Sequence, residues 1–380
     1  MTILFSALAT VEHDGQHFYN NEIQASLIRY KQFCDHIICL AHYSHTDHSK
    51  NDPIDMNGIE FVFLHKINKL LSVVTDKLNN AKLIKEAVSR CDCCIVHVYS
   101  LHADTVLKYA RKSGKQCLNV VVGDPWDSFW NYSLAGKVIA PFAYLSLKKM
   151  QKKAKYSIYV TNEYLQSKYP TKGKSIPCSN VDMETGDSKA INHRIIHIEN
   201  HQYSRIKIGT LAALDVRYKG QEFVIKAISE LKRKGDHRFE YHLAGGGDSS
   251  FLQSLIHKYH LEDSVVIHGA IPHKEIEQFL DDIDVYIQPS KQEGLPRALI
   301  EAMSRGCLCY GSRTAGIPEL LENDFIFSKG DYHQIATLLS KINKTLLTTQ
   351  AYRNFEEAKL YHRDTLNKRR NDFINLFINK

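Results

Sequence analysis

No stretch of this chain approaches 18 uninterrupted apolar residues, so no segment is expected to cross a membrane as a helix. The opening run 2–11 lacks a basic lead and breaks at Glu12-His13-Asp14, so it reads as a first strand, not a signal peptide. No low-complexity tract and no short-period repeat stands out. With 43% hydrophobic and 24% charged residues among 380, the chain is an ordinary globular protein of about two domains. Disorder, collagen and coiled coil are excluded as the overall class. Neither charge sign dominates: 49 basic against 42 acidic residues leave +7, of which residues 1–190 carry +5. That excess is too small to argue for nucleic acid, but suits phosphate-bearing ligands or an anionic membrane surface. Paired cysteine motifs are also missing. Nine cysteines, an odd number, lie mostly in apolar runs such as Cys91-Asp92-Cys93-Cys94, and no second Cys-x-x-Cys follows. Zinc is therefore not expected, and a buried strand in a reducing compartment is.

What is present is alternation. Apolar runs of strand length recur at 3–9, 36–41, 59–64, 93–98, 117–122 and 156–160. A second series falls at 206–211, 239–244, 265–268, 284–288 and 307–310. Continuous apolar runs suit parallel strands covered on both faces, and the spacers are long enough for crossover helices. Phe223-Val224, Ala227-Ile228 and Leu231 have helical spacing. Two series of alternating β and α predict an α/β protein of two Rossmann-like, doubly wound domains facing a cleft. The boundary is expected in the polar stretch 182–201, giving domains at 1–185 and 190–357. The charged tail, about 358–380, is expected to return to the first as a helix.

Ligands of such sheets bind beyond the carboxyl ends of the strands, so the strand-to-helix turns carry the functional signal. In Gln288-Pro289-Ser290-Lys291-Gln292-Glu293-Gly294-Leu295-Pro296, a strand ends at Gln288 and a helix is expected from near Gly294, with Pro296 in its first turn. Leu295, Ala298, Leu299, Ala302 and Met303 form its apolar stripe, and Glu301 lies off that stripe, leaning back toward the cleft. Glu293 and Glu301 would then flank free amides, a set suited to hydroxyls and anions; otherwise one caps the helix and the other is solvated. Arg217 and Lys219 follow the strand 206–211, where they either hold a diphosphate or form a solvated basic loop. Gly245-Gly246-Gly247-Asp248 permits close backbone approach, but it is neither Gly-x-Gly-x-x-Gly nor a P-loop.

In the first half, Asp124 ends a strongly apolar strand. It either faces the cleft or caps a helix. Trp126 and Trp130, the only tryptophans, either form a sugar-stacking surface or pack in the core. Asp14 and Gly15 follow the first strand, and His97 and His102 flank another strand end, where histidine is more often structural. The run Leu147–Lys155 is the densest in lysine and suits either solvent or anionic lipid headgroups.

Together these motifs resemble the retaining glycosyltransferases of family 4, with the GT-B arrangement of two Rossmann-like domains. The main match is Glu293…Glu301 within Pro289-Ser290…Glu301-Ala302-Met303. Lys219-Gly220, Leu243–Asp248, His268-Gly269-Ala270-Ile271-Pro272, Ala315-Gly316-Ile317-Pro318-Glu319 and Ser179-Asn180-Val181-Asp182 support it. The resemblance is good over about 206–321. It implies transfer of a sugar from a nucleotide-sugar to a glycan or lipid-linked acceptor in cell-surface polysaccharide synthesis. It also implies a cytoplasmic enzyme, at most peripheral at the inner face of the membrane. By the same resemblance, Lys219 contacts the donor diphosphate, Glu293 and the backbone at Gly294–Pro296 hold the sugar, Glu301 binds the ribose, and Ala270 and Ile271 meet the base. Gly245 joins the donor set. No metal or other cofactor is expected, in keeping with the lack of an obvious Asp-x-Asp site. The chain departs from the pattern in four places, one being that a glycine pair common near the first strand is reduced to Gly15. Leu214 and Ala213 stand where an arginine is common, so Arg217 is the candidate substitute. Pro296 replaces a frequent glycine. Gly123-Asp124 stands where a histidine is common, which makes Asp124 the candidate second catalytic residue beside Glu293. Asp14, Gly15 and Trp126 are expected on the acceptor side. Two rivals are a nucleotide-sugar epimerase of related fold and a non-catalytic subunit that only binds glycan.

Overall fold

The structure is a computed structural model that describes all residues except 50, 67–72, 99, 101, 185–186, 201–202 and 380. The expected domain limit at 185 and the tail end at 380 therefore fall outside the described residues, as do parts of the stretch 182–201.

Two sheets divide the chain. The first holds β1 (Thr2–His13), β2 (Phe18–Tyr19), β3 (His36–His45), β4 (Ile59–Leu64), β5 (Cys93–His97), β6 (Gln116–Val121), β7 (Tyr156–Tyr159) and β8 (Lys174–Pro177). Its order is β4-β3-β1-β5-β6-β7-β8, all parallel, with β2 hairpinned antiparallel onto β1. The second holds β9 (Ile206–Leu211), β10 (Phe239–Ala244), β11 (Val265–Gly269), β12 (Val285–Gln288), β13 (Leu308–Ser312) and β14 (Ile326–Phe327), ordered β11-β10-β9-β12-β13-β14. Both orders start at an inner strand, run outward to one side, then return to the other. That reversal leaves a crevice at the carboxyl ends beside β1 and beside β9, the place where doubly wound sheets bind ligands. The strand centres are buried on both faces, Ile37–Ala41 and Val285–Gln288 among them, which is why they read as continuous apolar runs.

The stretch expected to be a polar boundary instead contains a helix, Ser188–Asn200. Its buried face is Ala190, Ile191, Arg194 and Ile198. Arg194 hides the pattern because a guanidinium occupies a core position. It is 2% exposed, and donates to the carbonyls of Leu280 (2.6 Å), Ile283 (2.6 Å) and Arg305 (3.0 Å), so its burial is compensated. The tail consists of two helices, Lys344–Ala358 and Arg363–Ile378, joined by a short 3₁₀ turn. The second lies on the first sheet. Phe373 and Phe377 meet Tyr156 at ring distances of 6.1 and 5.4 Å, and the Leu366 carbonyl accepts from the Cys178 thiol. Burying each of those phenyl rings contributes about 1.5–3 kcal/mol. The thiols of Cys91 and Cys94 lie 3.7 Å apart in the first core, unoxidised. Among the described residues no helix is long and apolar enough to cross a membrane.

Candidate functional site

β9 and β12 are neighbours at the centre of the second sheet, so the loops that leave their carboxyl ends must meet. The Lys291 amide donates to the Tyr218 carbonyl (2.7 Å), zipping one loop to the other. Gly220 makes this possible. Its φ is +78°, and a Cβ there would fall 2.2 Å from the Pro289 carbonyl oxygen. The consequence is an ion pair: Lys219 Nζ donates to Glu293 Oε1 at 2.7 Å. The same oxygen accepts from Gln288 Nε2 (3.0 Å), and Gln288 in turn accepts from the buried Tyr286 hydroxyl (2.8 Å). The Glu293 side chain is only 10% exposed, so its carboxylate is held in place by fixed donors rather than by water.

The helix expected from Gly294 begins at Arg297, and Pro296 is its cap residue rather than part of the first turn. Pro296 has no N–H to offer. Among the described residues the amides of Gly294 and Leu295 have no acceptor, which leaves two free donors beside Glu293. Gly294 also meets the other half of the molecule. A Cβ at this position would lie 2.3 Å from the Val122 carbonyl oxygen, at the end of β6. The two halves are further joined by Gln292 Nε2 donating to Ser128 Oγ (2.6 Å), and by Glu319 accepting from the amides of Glu163 (3.1 Å) and Tyr164 (2.6 Å).

Between the halves lies a cavity of about 810 Å³, large enough for a nucleotide-sized ligand. Leu211, Ala212, Ala213, Lys219, Glu293 and Leu295 line its second-half side. Ala7, Ala9, Arg29, His97 and Ser100 line the first-half side. Lys219, Glu293, Gly294, Leu295 and Pro296, all expected from the sequence, are thus together in one cleft. Gly245 stands in the adjoining loop, where its amide donates to Gly269 (2.8 Å). Ala270 and Ile271 follow the edge strand β11 and do not line the cavity. Glu301 sits outside the lining too. Burial pushes its carboxyl above the usual range, opposed by Arg297 and His273, and among the described residues it has no hydrogen-bond partner.

Four expectations are redirected by tertiary contacts. Arg217 does not reach the cleft, because its guanidinium lies 3.1 Å from the Phe251 ring centroid on the exposed side of its loop. Asp124 is buried and caps the helix Pro125–Tyr132 through the Trp126 amide (2.9 Å). It also accepts from the Tyr164 hydroxyl (2.8 Å), the Tyr169 hydroxyl and Lys168, and is absent from the cavity wall. Trp126 stacks on Trp130 (5.3 Å, 12°) away from the cleft. Asp14 and Gly15 form the tip of the β1–β2 hairpin, since β1 runs on to His13 through a register shift between Ser6 and Thr10. There Asp14 binds the amides of Gln16 and His17 and the Tyr19 hydroxyl, which hold its carboxyl far below the usual range. His97 lines the cleft as a neutral ring, pushed down to about 4 by burial and by Arg29, whereas His102 does not line it. Arg29, Ser100 and Asn180 line it without having been expected. Of these only Asn180 stood in a motif, Ser179-Asn180-Val181-Asp182.

The chain does contain one Asp-x-Asp, Asp282-Ile283-Asp284, contrary to expectation. It precedes β12, at the strand end opposite the cleft, where Asp284 accepts from the Lys207 amide (2.8 Å) and His197 (2.9 Å). Among the described residues no three His, Cys, Asp or Glu side chains are grouped as a metal site.

The cleft-forming loops at 212–220 and 288–296 both lie inside one recognisable region. Residues 192–359 match the model of the glycosyl transferases group 1. Protein CapJ of Staphylococcus aureus is 31% identical over 268 residues, which cover 70% of this chain and 65% of CapJ. The amylovoran biosynthesis glycosyltransferase AmsK of Erwinia amylovora is 35% identical over 136 residues, 33% of each chain. The matched part of the chain thus spans less than two thirds of either relative. Anabaena HepE, solved in complex with UDP and glucose, superimposes with a TM-score of 0.68 at 14% identity, covering 98% of this chain and 99% of that one. The fold is therefore that of the two-domain GT-B glycosyltransferases. The group 1 region supplies one wall of the cleft, and the first sheet supplies the other.

Proposed function

We propose that this chain is a retaining glycosyltransferase of hexosyltransferase type. It moves a sugar from a nucleotide-diphosphate sugar to a glycan or lipid-linked acceptor in cell-surface polysaccharide synthesis. One observation carries the proposal: Lys219, Glu293 and two acceptor-free amides converge in the crevice where the second sheet reverses its strand order. Residues 190–357 take the donor and residues 1–185 the acceptor. The donor diphosphate enters beside Lys219 and draws its ammonium from Glu293, in a charge-assisted contact. Glu293, released from Lys219 but still held by Gln288, accepts from hydroxyls of the transferred sugar. As the bond to the diphosphate breaks, negative charge builds on the leaving oxygen. Lys219 and the amides of Gly294 and Leu295 are already oriented toward that charge. Transfer runs without a metal ion, since these groups supply the positive field. Glu301, half-buried and without a partner, accepts from the ribose, while Ala270 and Ile271 meet the base. UDP in the HepE complex supports a nucleoside diphosphate as the leaving group.

The enzyme works in the cytoplasm, peripheral to an anionic membrane. The helix Leu134–Lys152 supports this. It presents Leu134, Val138, Phe142 and Leu145 to solvent, with Phe142 70% exposed. Residues 128–162 hold six lysines and no acidic residue, a charge pattern complementary to anionic lipid. A thermal-shift screen of nucleoside diphosphates and their sugars tests the function. One nucleotide series is expected to raise the midpoint, since a ligand that binds only the folded state stabilises it by mass action. No shift from any of them would remove the proposal.

A further inference from the structure

The first-half wall of the cleft carries a positive charge that the donor reading does not use. Arg29, on the helix Asn21–Lys31, lines the cavity opposite Lys219. Its hydrogen bond there to Asn180 Oδ1 is long, 3.4 Å, and among the described residues no carboxylate lies within salt-bridge distance of it. Behind it stands Arg370, 2% exposed, which donates to the Ser179 carbonyl (2.6 Å) and Asn367 Oδ1 (2.9 Å) and likewise has no carboxylate partner. The two guanidiniums feel each other: burial and then Arg29 lower the Arg370 pKa, and Arg29 also depresses His97. Positive charge held this close without a counter-ion is unfavourable until an anion arrives. The same wall holds Ser100, 8% exposed, whose buried Oγ has no hydrogen-bond partner among the described residues. An unsatisfied buried hydroxyl is unfavourable, and one on a cavity wall can be completed by a ligand.

We propose that Arg29 and Ser100 form a binding subsite for a phosphate ester, the phosphate carried by the acceptor, separate from the donor diphosphate at Lys219. The proposal rests on the glycosyltransferase reading for the word acceptor, but not for the anion itself. Arg29 offers its planar fork to two phosphate oxygens, and Ser100 donates to a third or to the bridging oxygen. Arg370 stays buried and holds the Ser179–Asn180 segment against which Arg29 rests. An acceptor bound here faces Glu293 across the cleft, with its phosphate fixed to one half of the molecule and the donor fixed to the other.

The test uses the full chain and pyrophosphate as probe, by calorimetry with and without saturating UDP. Wild type is expected to bind pyrophosphate in the UDP-saturated protein. Arg29→Gln is expected to weaken that binding at least tenfold while leaving UDP affinity within twofold. Ser100→Ala removes no existing hydrogen bond, so it keeps the fold, and is expected to weaken pyrophosphate two- to fivefold. Arg29→Lys, which keeps charge but loses the fork, is expected in between. Pyrophosphate affinity unchanged in Arg29→Gln overturns the subsite. A loss of UDP affinity in Arg29→Gln as large as that in Lys219→Gln overturns its assignment to the acceptor and gives Arg29 to the donor. If wild type binds no nucleoside diphosphate yet binds pyrophosphate through Arg29, the enzyme reading fails and the anion subsite stands.

Discussion

Gly294→Ala separates the geometry of the cleft from the chemistry within it. The new Cβ would stand 2.3 Å from the Val122 carbonyl oxygen. Carbon–oxygen contacts close in to about 3.3 Å, so about 1 Å must be found. A backbone carbonyl at the end of a central strand cannot turn aside, so the two halves must part. Two contacts across the seam are then stretched: Gln292 on Ser128 (2.6 Å), and Asn131 on the Lys291 carbonyl (3.3 Å). Each is worth about 1 kcal/mol, and the overpacking itself costs about 1–3 kcal/mol. Displacement of about 1 Å between reacting groups lowers a transfer rate about 10²-fold. Under the proposed function nucleotide binding draws on the second half alone, and it is expected to stay within threefold. The assay is single-turnover transfer at saturating donor, beside calorimetry with UDP on the same preparation. A transfer rate within threefold of wild type would refute the reasoning. So would a parallel collapse of nucleotide binding, which would mean that the substitution unfolds the loop.

Other consequences follow from the same contacts. His97 is depressed to about 4 from an unfolded value of about 6.5, so the stability it contributes is complete above pH 6.5 and is lost as pH falls toward 4. Urea midpoints of wild type are expected to fall more steeply than those of His97→Phe over that window; identical profiles would contradict the assignment. Glu319→Ala removes the carboxylate that joins the 162–164 amides across the seam, and is expected to cost about 1–2 kcal/mol and to enlarge the radius measured by small-angle scattering. The doubly substituted Val138→Ser/Phe142→Ser protein is expected to lose at least about 100-fold in binding to phosphatidylglycerol vesicles, since each side chain contributes about 1.5–3 kcal/mol when buried. Flotation that is equal for wild type and variant, or equal on neutral vesicles, would argue against the membrane face.

The strands at 59–64, 206–211 and 239–244 were legible to the residue, because each is a short segment rich in β-branched, aromatic and other apolar residues bounded by polar turns. β8 was not. Lys-Ser-Ile-Pro is short, polar and at the sheet edge, where only backbone pairing defines it. The helix at 188–200 was hidden by a buried arginine whose partners are carbonyls about 90–110 residues away. The cleft loops at 212–220 and 288–296 were legible because their polar groups sit in the backbone turn itself, which local sequence determines. Asp124 and Arg217 stand at the right strand ends, but their side chains were captured by Tyr164, Lys168 and Tyr169 in one case and Phe251 in the other. No local pattern encodes such partners. Arg29 lies in the last turn of its helix in no motif, and it becomes a cleft residue only when the second half closes over it.

The central claim is that the pair Lys219–Glu293 handles a nucleotide-diphosphate sugar. Its most direct test is release of nucleoside diphosphate from the donor identified by thermal shift, in the presence of acceptor, by wild type, Lys219→Ala and Glu293→Ala. The account predicts turnover by wild type and a loss of at least 100-fold in each variant, with folding midpoints showing that both remain native. Wild-type rates from the two variants would contradict it.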